Sequence, residues 1–390
     1  MALIKVKGAG AENFGRRNIL INGDMSVAQR GTSTTGLQNT GGVFTLDRFS
    51  HRRGGTWTNF DAKHEQVDVT DTLPLSVGLT KALKVTCTTA EGSVPSGAVN
   101  AGEGVGIGHY LEKGDTHRLS VGTSSMSVSK LSFYVKASIA TTYGISIAAE
   151  QHATSQRLQI PFTVSSANTY ERISITIPTY NVALDSDLDI SSGWRIHWIL
   201  DGITSGRTAS QWNAHNDGTS EQVVILPNGV STTGFSNTQN ATFEITGVQL
   251  ERGNVTTDFE HLSFAETLAL CQRYFHKSGD IGTAEEWFPG VATYAHYGSQ
   301  SVTAIDGNND RAAPEVTYPC AMRSRPTVVY YPARTAVANT AGSITVYNGN
   351  TLVTTSSKPT GGVQCLVNYF YQTSTDAPMY TYQYTADSEF

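Results

Sequence analysis

Along the first 250 residues, apolar side chains recur at every second position in short bursts. Leu83, Val85 and Cys87 alternate with polar neighbours. The same period sets Leu131, Phe133, Val135 and Ala137, then Leu158, Ile160 and Phe162, then Ile173, Ile175 and Ile177. Trp194, Ile196, Trp198 and Leu200 follow, and Phe243 with Ile245 opens the last run. Successive side chains of a strand point to opposite faces, so each burst predicts a strand with one face on a core. Gly, Ser, Asn and Asp flank the bursts, which are the residues turns require. With no long helical pattern between them, the strands predict an antiparallel sandwich, because parallel pairing needs longer crossovers.

One segment departs from this period. Ser263 followed by Glu266 forms a capping box. Phe264, Leu268, Cys271 and Phe275 then fall on one face of a helix of about four turns, ending near Gly279. That face must bury against the sandwich or against a second copy of the helix. Beyond Gly279 the β pattern resumes at 326–331, 343–347, 351–355, 363–371 and 379–385, with Asn348-Gly349 as a tight-turn signal. The expected organisation is an arm over 1–17, a sandwich over 18–261, a connecting helix over 262–279 and a smaller C-terminal β-sandwich over 280–390. The fold class is all-β. Neither heptads nor a 20–50-residue repeat is present, which argues against a coiled-coil shaft or a β-helix.

Composition agrees: only 15% of the 390 residues are charged, and 39% are hydrophobic, enough to build cores. The net charge of −6 gives no general reason to expect nucleic acid as a partner. Charge is uneven, however. Residues 1–53 carry eight Lys and Arg, among them Lys5, Lys7, Arg16 and Arg17, against Glu12, Asp24 and Asp47. A basic beginning on an acidic body suits docking to an acidic partner, and equally fits ordinary surface variation. No signal-peptide core and no run of about 18 apolar residues is present, so neither secretion nor membrane insertion is expected. Cys87, Cys271, Cys320 and Cys365 are widely spaced without a zinc pattern and read as small buried hydrophobes, compatible with assembly in a reducing cytoplasm.

The chemistry of an enzyme is not evident. The stretch GEGVGIGHY (102–110) lacks the third glycine of a dinucleotide loop and reads as a mobile strand or a turn. Gly202 to Gly206 places Thr204 where a hydrolase elbow needs serine. Asp185–Asp189 begins like a calcium loop, but Ile190 and Ile196 occupy its glycine and glutamate positions, so it reads as an acidic turn, as does Asp306–Asp310. No catalytic residue, metal site or cofactor is expected.

Several stretches resemble a family of tailed-bacteriophage structural proteins, the tail fibre or carbohydrate-binding-domain proteins. They are GRRNILINGDMSVAQRGT (15–32) with TLDRF (45–49), KLSFYVKA (130–137), and FEITGVQLERG (243–253) continuing through Phe259-Glu260 to LCQRYF (270–275). MRSRP (322–326) and ADSEF (386–390) also fit. The resemblance covers nearly the whole chain. It implies a jelly-roll, a homotrimer and a place on the virion, where the chain would meet other phage tail or virion proteins through its N-terminus and host cell-surface polysaccharide at its far end. The function so implied is a non-enzymatic tail fibre. The alternatives are a purely structural neck, adaptor or head-fibre protein, and a polysaccharide depolymerase. Residues 1–17, with Lys5, Lys7, Arg16 and Arg17, are then the attachment arm. Arg30 and Arg48 stand near Asp24 and Asp47 in the first motif, a composition suited to fixed ion pairs. A receptor site is expected in the C-terminal domain, where Trp287, Tyr294, His296 and Tyr297 fall in an irregular segment; flat aromatic faces stack on sugars.

Overall fold

The structure, a computed structural model, describes residues 16–38, 41–55, 57–92, 104–149, 155–182, 191–204, 206–215, 225–277, 310–332, 343–347, 352–354, 360–361, 365–371 and 379–390. The chain divides into two compact units, Met1–Thr267 and Leu268–Phe390. The first unit carries β1 (Ser33–Thr34), β2 (Phe44–Leu46), β3 (Phe49–Gly54), β4 (Asp61–Asp68), α1 (Thr72–Leu75), β5 (Lys81–Thr89) and β6 (Gly104–Glu112). After α2 (Lys113–Thr116) come β7 (Ser129–Ala137), β8 (Thr142–Ala149), β9 (Ser155–Thr163) and β10 (Glu171–Ile177). β11 (Ser192–Gly202), β12 (Trp212–His215) and β13 (Thr242–Arg252) complete it.

These strands form two antiparallel sheets, a six-stranded one in the order β1-β4-β5-β13-β7-β10 and a seven-stranded one in the order β12-β9-β8-β11-β6-β3-β2. The chain passes repeatedly from one sheet to the other, as in a jelly-roll sandwich. The apolar half of every predicted alternation lines the shared core: Leu83, Val85, Cys87, Leu131, Phe133, Val135, Ile160, Trp194, Ile196, Trp198, Phe243 and Ile245 are all buried there. Of the two readings of GEGVGIGHY, a strand holds and a turn does not. From Gly104 it is β6, flanked by β3 and β11 and buried at every position.

The first motif of the sequence is buried against the third. β13 has a register irregularity between Thr246 and Gln249, and beyond it the segment from Asn18 to Gly23 pairs along the strand. Ile19 N–H donates to Leu250 O at 2.9 Å and Val248 N–H donates to Gly23 O at 2.9 Å. Asn18 joins both: its Nδ2 donates to Val248 O at 3.0 Å, and its Oδ1 accepts Leu250 N–H and Leu20 N–H, each at 3.0 Å. Gly23 is required because a Cβ there would lie 2.0 Å from Val248 O. Glu260 accepts the backbone N–H groups of Arg17 and Asn18. The segment from Thr256 to His261 lies over the outer face of the six-stranded sheet, where Phe259 packs on Leu79, Tyr134 and Tyr170.

Of the expected ion pairs, Arg30 and Asp47 form one at 3.5 Å. Asp47 also accepts both N–H groups offered by Gln29. Its burial raises the carboxyl above its ordinary value, and Arg30 opposes that. Arg48 is instead buried, with its guanidinium on the carbonyl of Tyr110, and Asp24 accepts from Ser26.

The helix α3 spans Phe264–Gln272, about two and a half turns, not the four over 262–279 that the apolar spacing suggests. The capping box forms as expected: Ser263 Oγ accepts Glu266 N–H at 3.3 Å, and Glu266 Oε2 accepts Ser263 N–H at 2.9 Å. The expected buried face is corrected in three places. Phe264 is 59% exposed, Leu268 is only half-buried, and Phe275, though buried, belongs to a strand. Cys271 is fully buried. The physical reason is tertiary pairing. β14 (Phe275–Lys277) is drawn into a ladder with β21 (Met379–Asp387), which ends the helix.

The second unit also holds β15 (Asp310–Thr317), β16 (Thr327–Pro332), β17 (Ser343–Tyr347), β18 (Leu352–Thr354), β19 (Thr360–Gly361) and β20 (Cys365–Tyr371). They make two antiparallel sheets, β15-β20-β19 and β14-β21-β17-β18 with β16 also on β21. LCQRYF, MRSRP and ADSEF converge here on Arg323. Its N–H donates to Arg273 O, its side chain donates to Ser388 O and Glu389 O, and its guanidinium lies 4.0 Å from the Phe390 ring centre.

A candidate ligand face on the seven-stranded sheet

Strand alternation that buries Trp194, Ile196 and Trp198 turns Arg195, His197 and Ile199 to the opposite face of the seven-stranded sheet. The neighbouring strands do the same. β3 presents Ser50 and Arg52, β6 presents Gly106, Gly108 and Tyr110, β8 presents Gly144, Ser146 and Ala148, and β9 presents Arg157, Gln159 and Pro161.

The register aligns them in rows across five strands. Ser50, Gly108, His197, Ser146 and Gln159 are successive partners. Two residues along, Tyr110, Arg195, Ala148, Arg157 and Asn213 form a second row. At about 4.8 Å per strand, each row spans roughly 19 Å. The third row, Arg52, Gly106, Ile199, Gly144 and Pro161, is largely apolar. Leu226 and Val230 pack on Ile199, and Pro227 stands over Gly144.

Side chains interlock across the three rows. The guanidinium of Arg52 lies 4.3 Å from the Tyr110 ring centre and that of Arg195 lies 5.4 Å away, within cation–π range. The His197 ring meets Tyr110 edge-on at 5.8 Å. Arg52 Nε donates to Ser50 Oγ at 2.9 Å, and Arg195 Nε donates to Ser192 Oγ at 3.3 Å. Gly108 makes this possible, because a Cβ there would lie 2.8 Å from both Arg52 Cγ and His197 Cδ2. Ser146, Gln159, His197, Arg157 and Tyr110 are buried, whereas Arg52, Arg195 and Asn213 are half-buried. Solvent therefore reaches the two rows and Arg52 chiefly at the half-buried residues Arg52, Arg195 and Asn213, and Asn213 Nδ2 donates to Thr208 O and Gln211 O. Guanidinium groups are planar donors with flat cationic faces, which suit hydroxyl and ring oxygen acceptors, and an amide oxygen accepts from hydroxyls.

Of the residues expected from sequence, Arg16 and Arg17 lie away from this face. Arg16 donates to Ile19 O at 3.1 Å. Arg17 donates to Asp258 O at 2.7 Å and stands 3.7 Å from Glu251, so both arginines engage the sandwich. Lys5, Lys7, Trp287, Tyr294, His296 and Tyr297 lie outside the described residues, as do Asp185–Asp189 and residues 306–309. Among the described residues, no three His, Cys, Asp or Glu side chains stand together as a metal site would need, and no helix is long and apolar enough to cross a membrane. This candidate face was not among the expected sites. Its signal was the polar half of the alternations, above all Arg195 and His197 set among Trp194, Ile196 and Trp198.

No protein-family profile matches the chain, and no curated protein sequence matches it. Among solved structures, the chain is similar to the enzymatically active domain of bacteriophage CBA120 tailspike protein 4, with a TM-score of 0.31 and 11% identity over 60% of this chain and 21% of that one. It is also similar to the family 11 carbohydrate-binding module of the Clostridium thermocellum cellulase Lic26A-Cel5E, with a TM-score of 0.27 and 13% identity over 58% and 98% of the two chains. A CBM4 module gives a TM-score of 0.28 and 10% identity over 60% and 99%.

Proposed function

We propose that this chain is a non-enzymatic glycan-attachment protein of a phage virion, a tail fibre that binds host-surface polysaccharide. The observation that carries the binding role is the pair of polar rows across five strands. The half-buried residues Arg52, Arg195 and Asn213 lie on β3, β11 and β12, a spread across the sheet that suits an extended, polyhydroxylated polymer better than a compact metabolite. Amide and guanidinium groups read hydroxyls, while stacked planar groups give flat contact area. Arg52, Arg195 and Asn213 are the residues that make first contact. The virion setting and a homotrimeric assembly are supported by the sequence resemblance carried by 15–32, 243–253 and 270–275. Attachment to the particle is assigned to the basic N-terminal end, beginning with residues 1–17.

The test is binding of the full chain to a glycan array, followed by calorimetry with the best polysaccharide. Arg195→Ala and Asn213→Ala should each weaken binding at least tenfold without changing the melting temperature. Unchanged affinity in both variants, with loss in Trp287→Ala or Tyr297→Ala, moves the site to the C-terminal unit. No binding to any glycan leaves the purely structural role, and falling polysaccharide viscosity on incubation refutes the non-enzymatic reading.

A further inference from the structure

Near one margin of the core between the two sheets, two buried polar side chains meet. There His51 of β3 and His64 of β4 meet across the sandwich, His51 Nδ1 to His64 Nε2 at 3.1 Å. The rings stand edge to face, with centres 4.9 Å apart, and neither side chain is reached by solvent. A hydrogen bond between two imidazoles needs one nitrogen to donate and the other to accept. The accepting ring must therefore be neutral. The outer nitrogens, His51 Nε2 and His64 Nδ1, have no hydrogen-bond partner.

The segment before β1 also ties this margin: Gln66 Nε2 of β4 donates to Met25 O and Ser26 O, Gln66 N–H donates to Thr32 O, and Asp47 N–H donates to Val27 O. β4 is flanked outside by β1 and β3 by β2, which are edge strands of two and three residues. Between the two edges, Thr45 Oγ1 donates to Thr34 Oγ1 at 2.7 Å. The register sets Ile107 and Val85, both apolar, beside His51 and His64. Of the charged groups nearby, Lys63 and Glu65 flank His64 on its own strand and pair with each other. Arg52 and Arg53 flank His51, and β1 and β2 carry no charge. On β6, His109 turns to Ile21 O. Among the described residues, no carboxylate acts on either imidazole.

We propose that the His51–His64 pair is an acid-operated latch that holds the two sheets together at the β1/β2 margin and, once protonated, lets that margin open before the rest of the sandwich. Protonating the acceptor sets two N–H groups against each other and leaves a charge in an apolar site, which is costly unless it is paired. Burial holds His64 down to about 3. Burial first, then the charges of His64, Arg53 and Arg52, hold His51 well below the usual imidazole range. Both groups thus bind protons more weakly when folded than in the unfolded chain, where the value is about 6.5. The stabilisation is complete above that pH and is lost as the pH falls below it. Each histidine shifts the closed-to-open ratio about tenfold per pH unit below 6.5.

The test is amide hydrogen exchange on the full chain at pH 7.5 and 5.5, corrected for intrinsic rates. Residues 44–54 and 61–68 should lose about a hundredfold in protection at pH 5.5, while β7 and β13 keep theirs. In the double variant His51→Gln, His64→Gln, protection at the margin should no longer depend on pH. Equal loss in β7 and β13, no loss in the wild-type margin, or an unchanged pH dependence in the variant each overturn the latch. If the double variant fails to fold, the wild-type comparison between margin and central strands decides alone.

Discussion

Replacing Asn18 by Ala should be among the most damaging single changes in the first unit. The side chain is buried and satisfies three backbone groups: the carbonyl of Val248 and the N–H groups of Leu20 and Leu250. Alanine removes all three partners. A buried backbone group without a partner costs about 1–3 kcal/mol. Some relaxation is expected, so the total loss should be about 3–6 kcal/mol. For a unit of this size, 1 kcal/mol lowers the melting temperature by about 2–4 °C. The variant should therefore melt roughly 10 °C below wild type, and urea titration should show the same loss at unchanged slope. Arg17→Ala is the comparison. Its contacts to Glu251 and Asp258 are half-exposed, so its loss should stay below about 1 kcal/mol. If Asn18→Ala costs no more than Arg17→Ala, the buried amide is not what fastens the first motif to β13.

Two further changes test other parts of the account. Gly108→Ala should displace Arg52 and His197, weaken glycan binding and cost about 1–3 kcal/mol, as overpacking does; calorimetry and melting measure both, and an unaffected variant means the face has more slack than its distances indicate. Phe264→Ser should alter the stability of the isolated chain by no more than about 0.5 kcal/mol, because the ring is exposed, whereas Leu268→Ala should cost less than the 2–5 kcal/mol of a fully buried leucine. A large loss of stability in Phe264→Ser would show that the ring is covered in solution.

Much of the sandwich was legible in the chain, because the alternation that defines a strand is local. Leu131, Phe133 and Val135 announce both the strand and its buried face, and Ser263 with Glu266 announces the start of the helix. The end of the helix was not legible. Phe275 falls at helical spacing, yet its pairing with Asp387, more than a hundred residues later, draws it into a sheet. The ligand face was hidden for the same reason. Ser50, His197, Ser146 and Gln159 are unremarkable one at a time and form a row only through the register of five strands. In GEGVGIGHY the glycines suggested looseness, whereas Gly108 is small because Arg52 and His197 close over it.

The tie between the first motif and the last sandwich strand governs how the protein can be made. Asn18 and Glu260 are 242 residues apart, and β13 lies between β5 and β7 in its sheet. At about 5–20 residues per second, the ribosome delivers Glu260 roughly 10–50 s after Asn18. Throughout that interval Ile19, Leu20 and Ile21 have no strand to join, and β5 and β7 lack the neighbour they share. The nascent sandwich thus leaves the exit tunnel as a set of unclosed edges exposing apolar side chains, the kind of intermediate that chaperones protect. Chains released before β13 is complete become substrates for proteolysis, and the basic segment before Arg16 gains a fixed point of departure only when synthesis of the unit is nearly over.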